Sequence, residues 1–386
     1  MSDLTVFQPG GPLALASHAT LASHATLASH APLALASHAS GCSAHITYFE
    51  AGVVGLIQGI TELFPVSSLG HNVLLPALVG GCWSRRLNVA ADESPYLAFI
   101  VGLHVATAIA LLIYFWRDWI RIIGGFFSSI RHMIRPEPGV DRFEMRTTEE
   151  KMAWMIILAT IPVGLVGIVF EHEFRIFFGK PIRAAIFLAI NGLILIAAEV
   201  FRRKKSIEAD QEILEERERD KALAAAGGGR RTGSYRHASG HQAVRSEEIA
   251  QGIAADNRLA KYGFGEALII GSSQILALLA GISRDGVCMV TGMFRGLARE
   301  DAARFAFLLA TPVILAAGVL KIPDLYGPLG NGIHGQVYFG SLLSGVGAYL
   351  SVRFLTRYFQ TRTLTPFGIY CLVVGLGSIV YLGFIK

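Results

Sequence analysis

Residues 58–71 are Gln-Gly-Ile-Thr-Glu-Leu-Phe-Pro-Val-Ser-Ser-Leu-Gly-His. This stretch sits inside an apolar region, 46–80, and breaks it with Pro65, Ser67, Ser68, Gly70 and His71. The halves on either side, about 15 residues each, are too short to cross a hydrocarbon core that takes about 20. A second apolar region, 264–297, breaks in the same way at Gly281-Ile282-Ser283-Arg284-Asp285-Gly286. Each region reads as a re-entrant helix–loop–helix hairpin with its tip at membrane depth. Irregular backbone is tolerated there only where protein or a wet cavity surrounds it.

Working outward, six further stretches are long and apolar enough to span: 96–116, 152–170, 184–201, 303–320, 337–356 and 366–385. The composition agrees. The 386 residues are 52% hydrophobic and only 16% charged, against about 25% charged in an ordinary soluble domain. Charge is also clustered, since residues 202–262 hold 13 of the 34 Lys and Arg. A pI of 9.0 therefore leaves no basic face for nucleic acid, which is excluded as a partner, and a soluble enzyme is disfavoured. The partner indicated is the lipid bilayer.

Basic residues orient the scheme. Loops 117–151, 202–262 and 353–365 hold 7, 13 and 3 Lys and Arg, whereas loops 84–95, 171–183 and 321–336 hold 2, 3 and 1. The two sets alternate if the first is cytoplasmic, which places both termini outside. The expected fold is an all-α polytopic membrane protein, an inverted repeat of one re-entrant hairpin plus three spans. The first repeat is 46–201 and the second 263–386. At a fixed offset of 216, Glu50, Ala51, Gly55, Gln58, Leu63, Ser67 and Gly70 meet Glu266, Ala267, Gly271, Gln274, Leu279, Ser283 and Gly286. Inverted repeats built from broken helices place their site where the repeats meet, so the two tips should face each other.

Residues 1–45 form a low-complexity leader with His18, His24, His30 and His38 in near repeat, and 202–262 a charged cytoplasmic insert. No function is assigned to either. The four cysteines show no metal spacing and suggest no disulfide framework.

The chemistry concentrates at the breaks. Gln58 and Glu62 are four apart and share one helix face. Glu62, ionisable within an apolar hairpin, is a functional residue by default. Ser67, Ser68 and Gly70 lead into His71 at the start of the returning half-helix, where backbone N–H groups favour an anion. Ser283, Arg284 and Gly286 supply another hydroxyl, a planar cation and a second helix start suited to phosphate oxygens. Glu62 itself repels phosphate and makes sense as a ligand for a divalent cation, magnesium or calcium. The competing reading is a structural ion pair with Arg284 across the repeats. Such a site would hydrolyse or carry a phosphorylated amphiphile. Elsewhere, His104 within a span is expected to be a hydrogen-bonded packing residue, and Glu199 to meet water or Arg202.

Two phosphatase and protease patterns fail. A phosphatidic-acid-type phosphatase would need a His where Val290 stands and a Lys at Ser128, and no rhomboid-type G-x-S-G is present at Gly281–Arg284. The stretch Gln58–His71 instead resembles the signature of bacterial undecaprenyl-diphosphate phosphatases of the bacitracin-resistance type. Gly281–Gly286 is similar to their second signature, P-G-x-S-R-S-G-x-T, and Asp301–Pro312 resembles the flank that follows. The resemblance covers roughly 46–205 and 262–386.

The resemblance implies an inner-membrane enzyme that removes the terminal phosphate of undecaprenyl diphosphate, regenerating the lipid carrier of peptidoglycan synthesis. It implies a divalent cation and a site open to the periplasmic side. Carried over by position, the metal-associated pair falls on Gln58 and Glu62, the nucleophilic serine on Ser68, the functional histidine on His71 and the phosphate-binding arginine on Arg284. Ser67, Gly70, Ser283 and Gly286 complete the substrate-binding set. Leu69, Ala280, Asp285 and Cys288 replace Thr, Pro, Ser and Thr of the pattern. Asp285 either adds a carboxylate near the cation or turns away. A polyprenyl-phosphate carrier with the same architecture is the alternative, and a homodimer is left open.

Overall fold

Thr47 opens the first helix through a reciprocal cap: its hydroxyl accepts from the Glu50 backbone N–H at 3.2 Å and the Glu50 carboxylate accepts from the Thr47 N–H at 2.8 Å. This helix, α1 (Tyr48–Leu63), stops where Pro65 removes an N–H and forces Phe64 into extended backbone. Ser67 caps the returning α2 (Ser68–Val79), and a short α3 (Gly81–Arg86) follows. The computed structural model that gives these elements describes residues 42, 45–89, 94–135, 141–224 and 252–385. The expected leader, apart from residues 42 and 45, and the central part of the 202–262 insert lie outside the described residues.

Beyond α3 come α4 (Pro95–Tyr114), α5 (Trp116–Ile134), α6 (Thr148–Phe178) and α7 (Pro181–Ala224). The second broken region is α8 (Phe264–Ser273), which tightens into a 3₁₀ turn at Gln274–Leu278, and then α9 (Arg284–Phe294). The chain closes with α10 (Arg299–Tyr326), α11 (His334–Thr361) and α12 (Thr365–Val380). No strand occurs among the described residues. Residues 44–386 form one unit.

Among the described residues, five helices are long and apolar enough to cross a membrane: Pro95–Tyr114, Thr148–Phe170, Pro181–Lys204, Arg299–Pro323 and Thr365–Ile385. The chain is thus a polytopic membrane protein. The sixth expected span, 337–356, is a 28-residue helix, α11, but does not meet that test of apolarity. Its composition has a structural use, because its glycines and the buried Ser344 and Ser351 let other helices approach closely. Where a charged loop was expected at 117–151, Trp116–Ile134 is an amphipathic helix. It buries Ile122, Gly125 and Ser129 and packs against α6. Counting loop charges conceals such a helix, because its polar face carries the same arginines.

Small residues decide the contacts that position the tips. On α1, a Cβ built at Gly55 would lie 2.4 Å from the Gly340 carbonyl oxygen of α11. On α8, one at Gly271, the counterpart of Gly55 at the offset of 216, would lie 2.1 Å from the Ala159 oxygen of α6. Both clashes are with backbone, which cannot move aside. Gly271→Val is therefore expected to destabilise the protein by about 1–3 kcal/mol or more through overpacking. Its thermal midpoint in detergent should fall clearly. Gly164→Ala, at a glycine with open space around it, should leave the midpoint unchanged.

Glu199 forms a two-bond ion pair with Arg299, 2.8 Å on each oxygen, and accepts from the Leu364 N–H at 2.9 Å. The expected Arg202 acts on Glu199 electrostatically, but the carboxylate's hydrogen-bonded partner is an arginine 100 residues further along the chain. Cys42 and Cys82 are disulfide-bonded, against the sequence reading, while Cys288 and Cys371 are free and buried. Isolated cysteines far apart in sequence carry no spacing signal for such bonding.

Candidate active site

The two tips touch. Ser67 adopts φ +67°, a left-handed backbone that non-glycine residues seldom take. Its hydroxyl accepts two backbone N–H groups, Gly70 from its own tip and Gly281 from the other, each at 3.2 Å. Strain of this kind persists only where surrounding structure over-determines it, and here the second tip helps to hold it. Ser283 repeats the cap, accepting from the Gly286 N–H at 3.1 Å. Asn191 of α7 joins both tips: its amide donates to the Pro65 carbonyl at 2.9 Å, and its oxygen accepts from the Ser283 N–H at 3.0 Å.

Glu62 is the centre of the polar cluster. Its carboxylate is nearly sealed from solvent, and each oxygen is addressed from outside its own turn. Oε1 accepts from Arg284 Nη2 at 2.9 Å, across the two tips. Oε2 accepts from Gln58 Nε2 at 2.7 Å and from Ser68 Oγ at 2.5 Å. Gln58 in turn accepts from Asn72 Nδ2 at 2.5 Å. It therefore presents an N–H to Glu62 and spends its oxygen on Asn72.

Arg284 uses its other edge atom, Nε, on Asp285 Oδ1 at 3.4 Å. Its Nη1 makes no hydrogen bond among the described residues. One guanidinium thus bridges two buried carboxylates and leaves a nitrogen for an incoming anion. Asp285 Oδ2 is buried without a donor. Two carboxylates against one guanidinium give this cluster a formal excess of one negative charge.

His71 is held differently from what its place in the motif suggests. Nδ1 lies 2.7 Å from the Ser67 carbonyl, which can only accept, so Nδ1 carries the hydrogen. Nε2 then accepts from the Tyr370 hydroxyl at 2.8 Å, with the rings stacked 7° from parallel. Ser68 directs its own hydrogen to Glu62, not to His71.

All the residues singled out from the sequence at the two tips therefore lie in one cluster. Gln58, Glu62, Ser68 and Arg284 are linked by direct hydrogen bonds, and Ser67, Gly70, Ser283 and Gly286 form the two helix starts. Four participants escaped the sequence reading. His104 on α4 does make the expected packing bond, Nδ1 to the Ile100 carbonyl at 2.9 Å, but its Nε2 also lies 3.4 Å from Glu62 Oε2. Asn191 and Asn72 are polar residues inside apolar helices, a signal that could have been followed. Tyr370 left none, since a tyrosine near a span end is ordinary.

The second tip is not a copy of the first. At the offset of 216, Leu278 stands opposite Glu62 and Cys288 opposite Asn72. Gln274, the counterpart of Gln58, is consequently buried with neither side-chain polar atom partnered. Among the described residues, only the first tip holds an acid hydrogen-bonded to a serine hydroxyl.

Comparison with known proteins gives the family. The family described as "Bacitracin resistance protein BacA" matches residues 51–225 and 238–377. A protein of Mycolicibacterium paratuberculosis named undecaprenyl-diphosphatase is 55% identical over 341 residues, 88% of this chain and 99% of that protein. Undecaprenyl-diphosphatase 2 of Frankia alni is 49% identical over 348 residues, 86% and 96% of the two chains. Undecaprenyl-diphosphatase 2 of Chromobacterium violaceum is 35% identical over 340 residues, 86% and 98%. With both signature stretches inside the matched residues and converging on one cluster, this chain belongs to the bacitracin resistance protein BacA family.

Proposed function

We propose that this chain is an integral membrane phosphatase that hydrolyses undecaprenyl diphosphate to undecaprenyl phosphate and inorganic phosphate, and so supports bacitracin resistance. The observation that carries the reading is the contact series Ser68–Glu62–Arg284, which sets a hydroxyl, a base and a phosphate-binding cation side by side across two helix starts. A carrier would need the arginine but has no use for a serine whose proton is already directed at a carboxylate.

In the mechanism we favour, Arg284 and the N-termini of α2 and α9 receive the diphosphate oxygens, an electrostatic task. Ser68 Oγ attacks the terminal phosphorus while its proton passes to Glu62 Oε2, and the bridging P–O bond breaks to release the lipid monophosphate. Water then attacks the phosphoserine. The P–Oγ bond breaks, Glu62 returns the proton to Ser68, and phosphate departs. Gln58 orients the Glu62 carboxylate. His71, through its bond to the Ser67 carbonyl, holds the turn that carries Ser68, and its Nε2 is the base we assign to the attacking water.

The residues present fit a divalent cation. The formal negative excess and the donor-free Asp285 Oδ2 are both features that a cation would satisfy. Glu62 would hold it, with Asp285 across the Arg284 fork as the second oxygen and Gln58 steadying the carboxylate. When bound, the ion supplies charge neutralisation to the phosphoryl oxygens.

The wider setting belongs to the same proposal. Helix contacts support the inverted repeat: α1 packs on α11 as α8 packs on α6, α4 packs on α10, and α7 packs on α12. The alternation of basic loops supports a bacterial inner-membrane location with cytoplasmic 117–151, 202–262 and 353–365. It also supports a site reached from the outer side, where it would serve recycling of the peptidoglycan carrier. The bond assignment is tested by phosphorus NMR of the products. The lipid monophosphate with inorganic phosphate is expected, and pyrophosphate with the free polyprenol would refute anhydride cleavage. Ser68→Ala should abolish a trappable phosphoenzyme, and near-normal turnover in that variant would end the nucleophile assignment.

A further inference from the structure

We propose that the groove between α5 and α6 holds one acyl chain of an anionic phospholipid, with the lipid phosphate on the arginine face of α5. The site involves neither tip and is independent of the phosphatase reading. Its basis is that α5 has three faces. At about 100° per residue, Trp116, Ile120, Ile123, Phe127 and Ile134 fall within an arc of about 60°, and all are exposed. Ile122, Gly125 and Ser129 form a second, buried face. That face meets the first turns of α6, where Trp154 donates to Ser129 Oγ at 2.9 Å. The third face carries Arg117, Arg121 and Arg131. An exposed apolar strip beside an arginine face is the pattern of a helix that lies in the membrane interface.

Beside this strip, α5 and α6 enclose a groove of about 570 Å³, walled by Trp119, Ile123 and Phe126 of α5 and reaching Pro312 of α10. Along α6 it runs from Ala153 to Ile168. That is about 22 Å at 1.5 Å per residue, more than the roughly 15 Å that one leaflet contributes to a hydrocarbon core of about 30 Å. A full acyl chain can therefore lie in it. The groove's hydroxyl, that of Thr160, is spent on the Ile156 carbonyl at 2.8 Å, which leaves a lining suited to hydrocarbon. Lipid can reach it, because only 28% of the apolar stretch of α6 is buried within the protein.

Charge selects the headgroup. The acids near the arginine face are already engaged: Asp118 pairs with Arg121 at 2.5 Å and with Arg304 at 3.0 Å, while Glu149 lies 3.9 Å from Arg121. Arg121 is itself held by Asp256 at 3.0 Å. Arg117 and Arg131, by contrast, have no carboxylate partner among the described residues, and Arg117 lies over the Trp116 ring at 5.0 Å. In the helix they stand on either side of the groove-lining stretch Trp119–Phe126. Their charges are thus left for lipid phosphate. Each basic residue at an anionic membrane surface favours association by about fivefold.

The test places the full-length protein in phosphatidylcholine vesicles containing a small share of one probe lipid. The probe is phosphatidylglycerol or phosphatidylcholine with a photoactivatable group on its acyl chain, and the labelled residues are located by mass spectrometry. The phosphatidylglycerol probe is expected to label Trp119–Phe126 and Ala153–Ile168 at least about fivefold more than the phosphatidylcholine probe does. Thr365–Ile385, a span at least as open to lipid with 22% buried, should take up both probes alike. Arg117→Gln combined with Arg131→Gln should abolish the headgroup preference. Gly164→Phe, at a groove glycine with open space around it, should lower groove labelling by both probes several-fold against the same span. Because the two probes are compared on the wild-type chain, that result does not depend on the variants folding. Groove labelling no stronger than that of Thr365–Ile385, or no headgroup preference in the wild type, would overturn the proposal. So would a preference that survives loss of both arginines, or groove labelling untouched by folded Gly164→Phe.

Discussion

Glu62→Gln is expected to lower turnover of a C55 diphosphate by at least about a thousandfold, with the protein still folded. The size follows from what one carboxylate does here. In the proposed mechanism it takes the proton of Ser68, a base contribution of about 10²–10⁴-fold, and its other oxygen accepts from Arg284 across the tips. The amide keeps the volume and can still accept from Ser68, but cannot take its proton. The charge left behind is not orphaned, since Arg284 retains Asp285 at 3.4 Å. Removing one member of a fully isolated buried pair would cost about 3–5 kcal/mol, whereas this guanidinium keeps a second partner, so the thermal midpoint should move modestly. Turnover of purified protein in detergent, read beside that midpoint, checks the prediction. A variant within tenfold of wild type would exclude Glu62 as the base.

Arg284→Lys should be nearly as damaging, by about a hundred- to a thousandfold, although it preserves the charge. A guanidinium presents donors in a rigid fork, and here Nε and Nη2 are committed to Asp285 and Glu62 while Nη1 is left for substrate. An ammonium is a point charge that cannot serve three directions in fixed geometry. Loss of one preorganised donor at developing charge costs about 10²–10³ in rate. The variant should also bind the diphosphate less tightly, raising KM, because in the proposed mechanism Arg284 meets the ground-state phosphate too. Arg284→Ala should be worse on both counts and less stable, since it leaves Glu62 and Asp285 buried together without their shared cation. Steady-state kinetics of the two variants decides the matter. A lysine variant with wild-type kcat would show that charge alone suffices.

These two residues were legible from the sequence for a simple physical reason. In an apolar chain a charge is costly, so the few charges outside the loops mark places where structure compensates them. Pro65, the serine caps and the glycines marked the breaks by local rules that hold without knowledge of the fold. What stayed hidden depends on how helices turn toward one another. His104 reads as a packing histidine until α4 is seen to aim it at Glu62 of α1. His71 sits three residues after Ser68, yet its ring is tied to Tyr370, 299 positions away. The small and polar residues of α11 lowered its apolarity because they serve close contact with α1, and α5 was concealed by the arginines on its wet face.

The central claim, that the cluster at the two tips cleaves a phosphoanhydride, is tested most directly by phosphate release in detergent micelles. There the purified protein has no second leaflet to which it could carry a lipid. Release of one inorganic phosphate per C55 diphosphate is expected in proportion to the protein added, and it should be lost in Glu62→Gln and Arg284→Lys. Wild-type protein, folded and supplied with divalent cation, that leaves the diphosphate intact would contradict it.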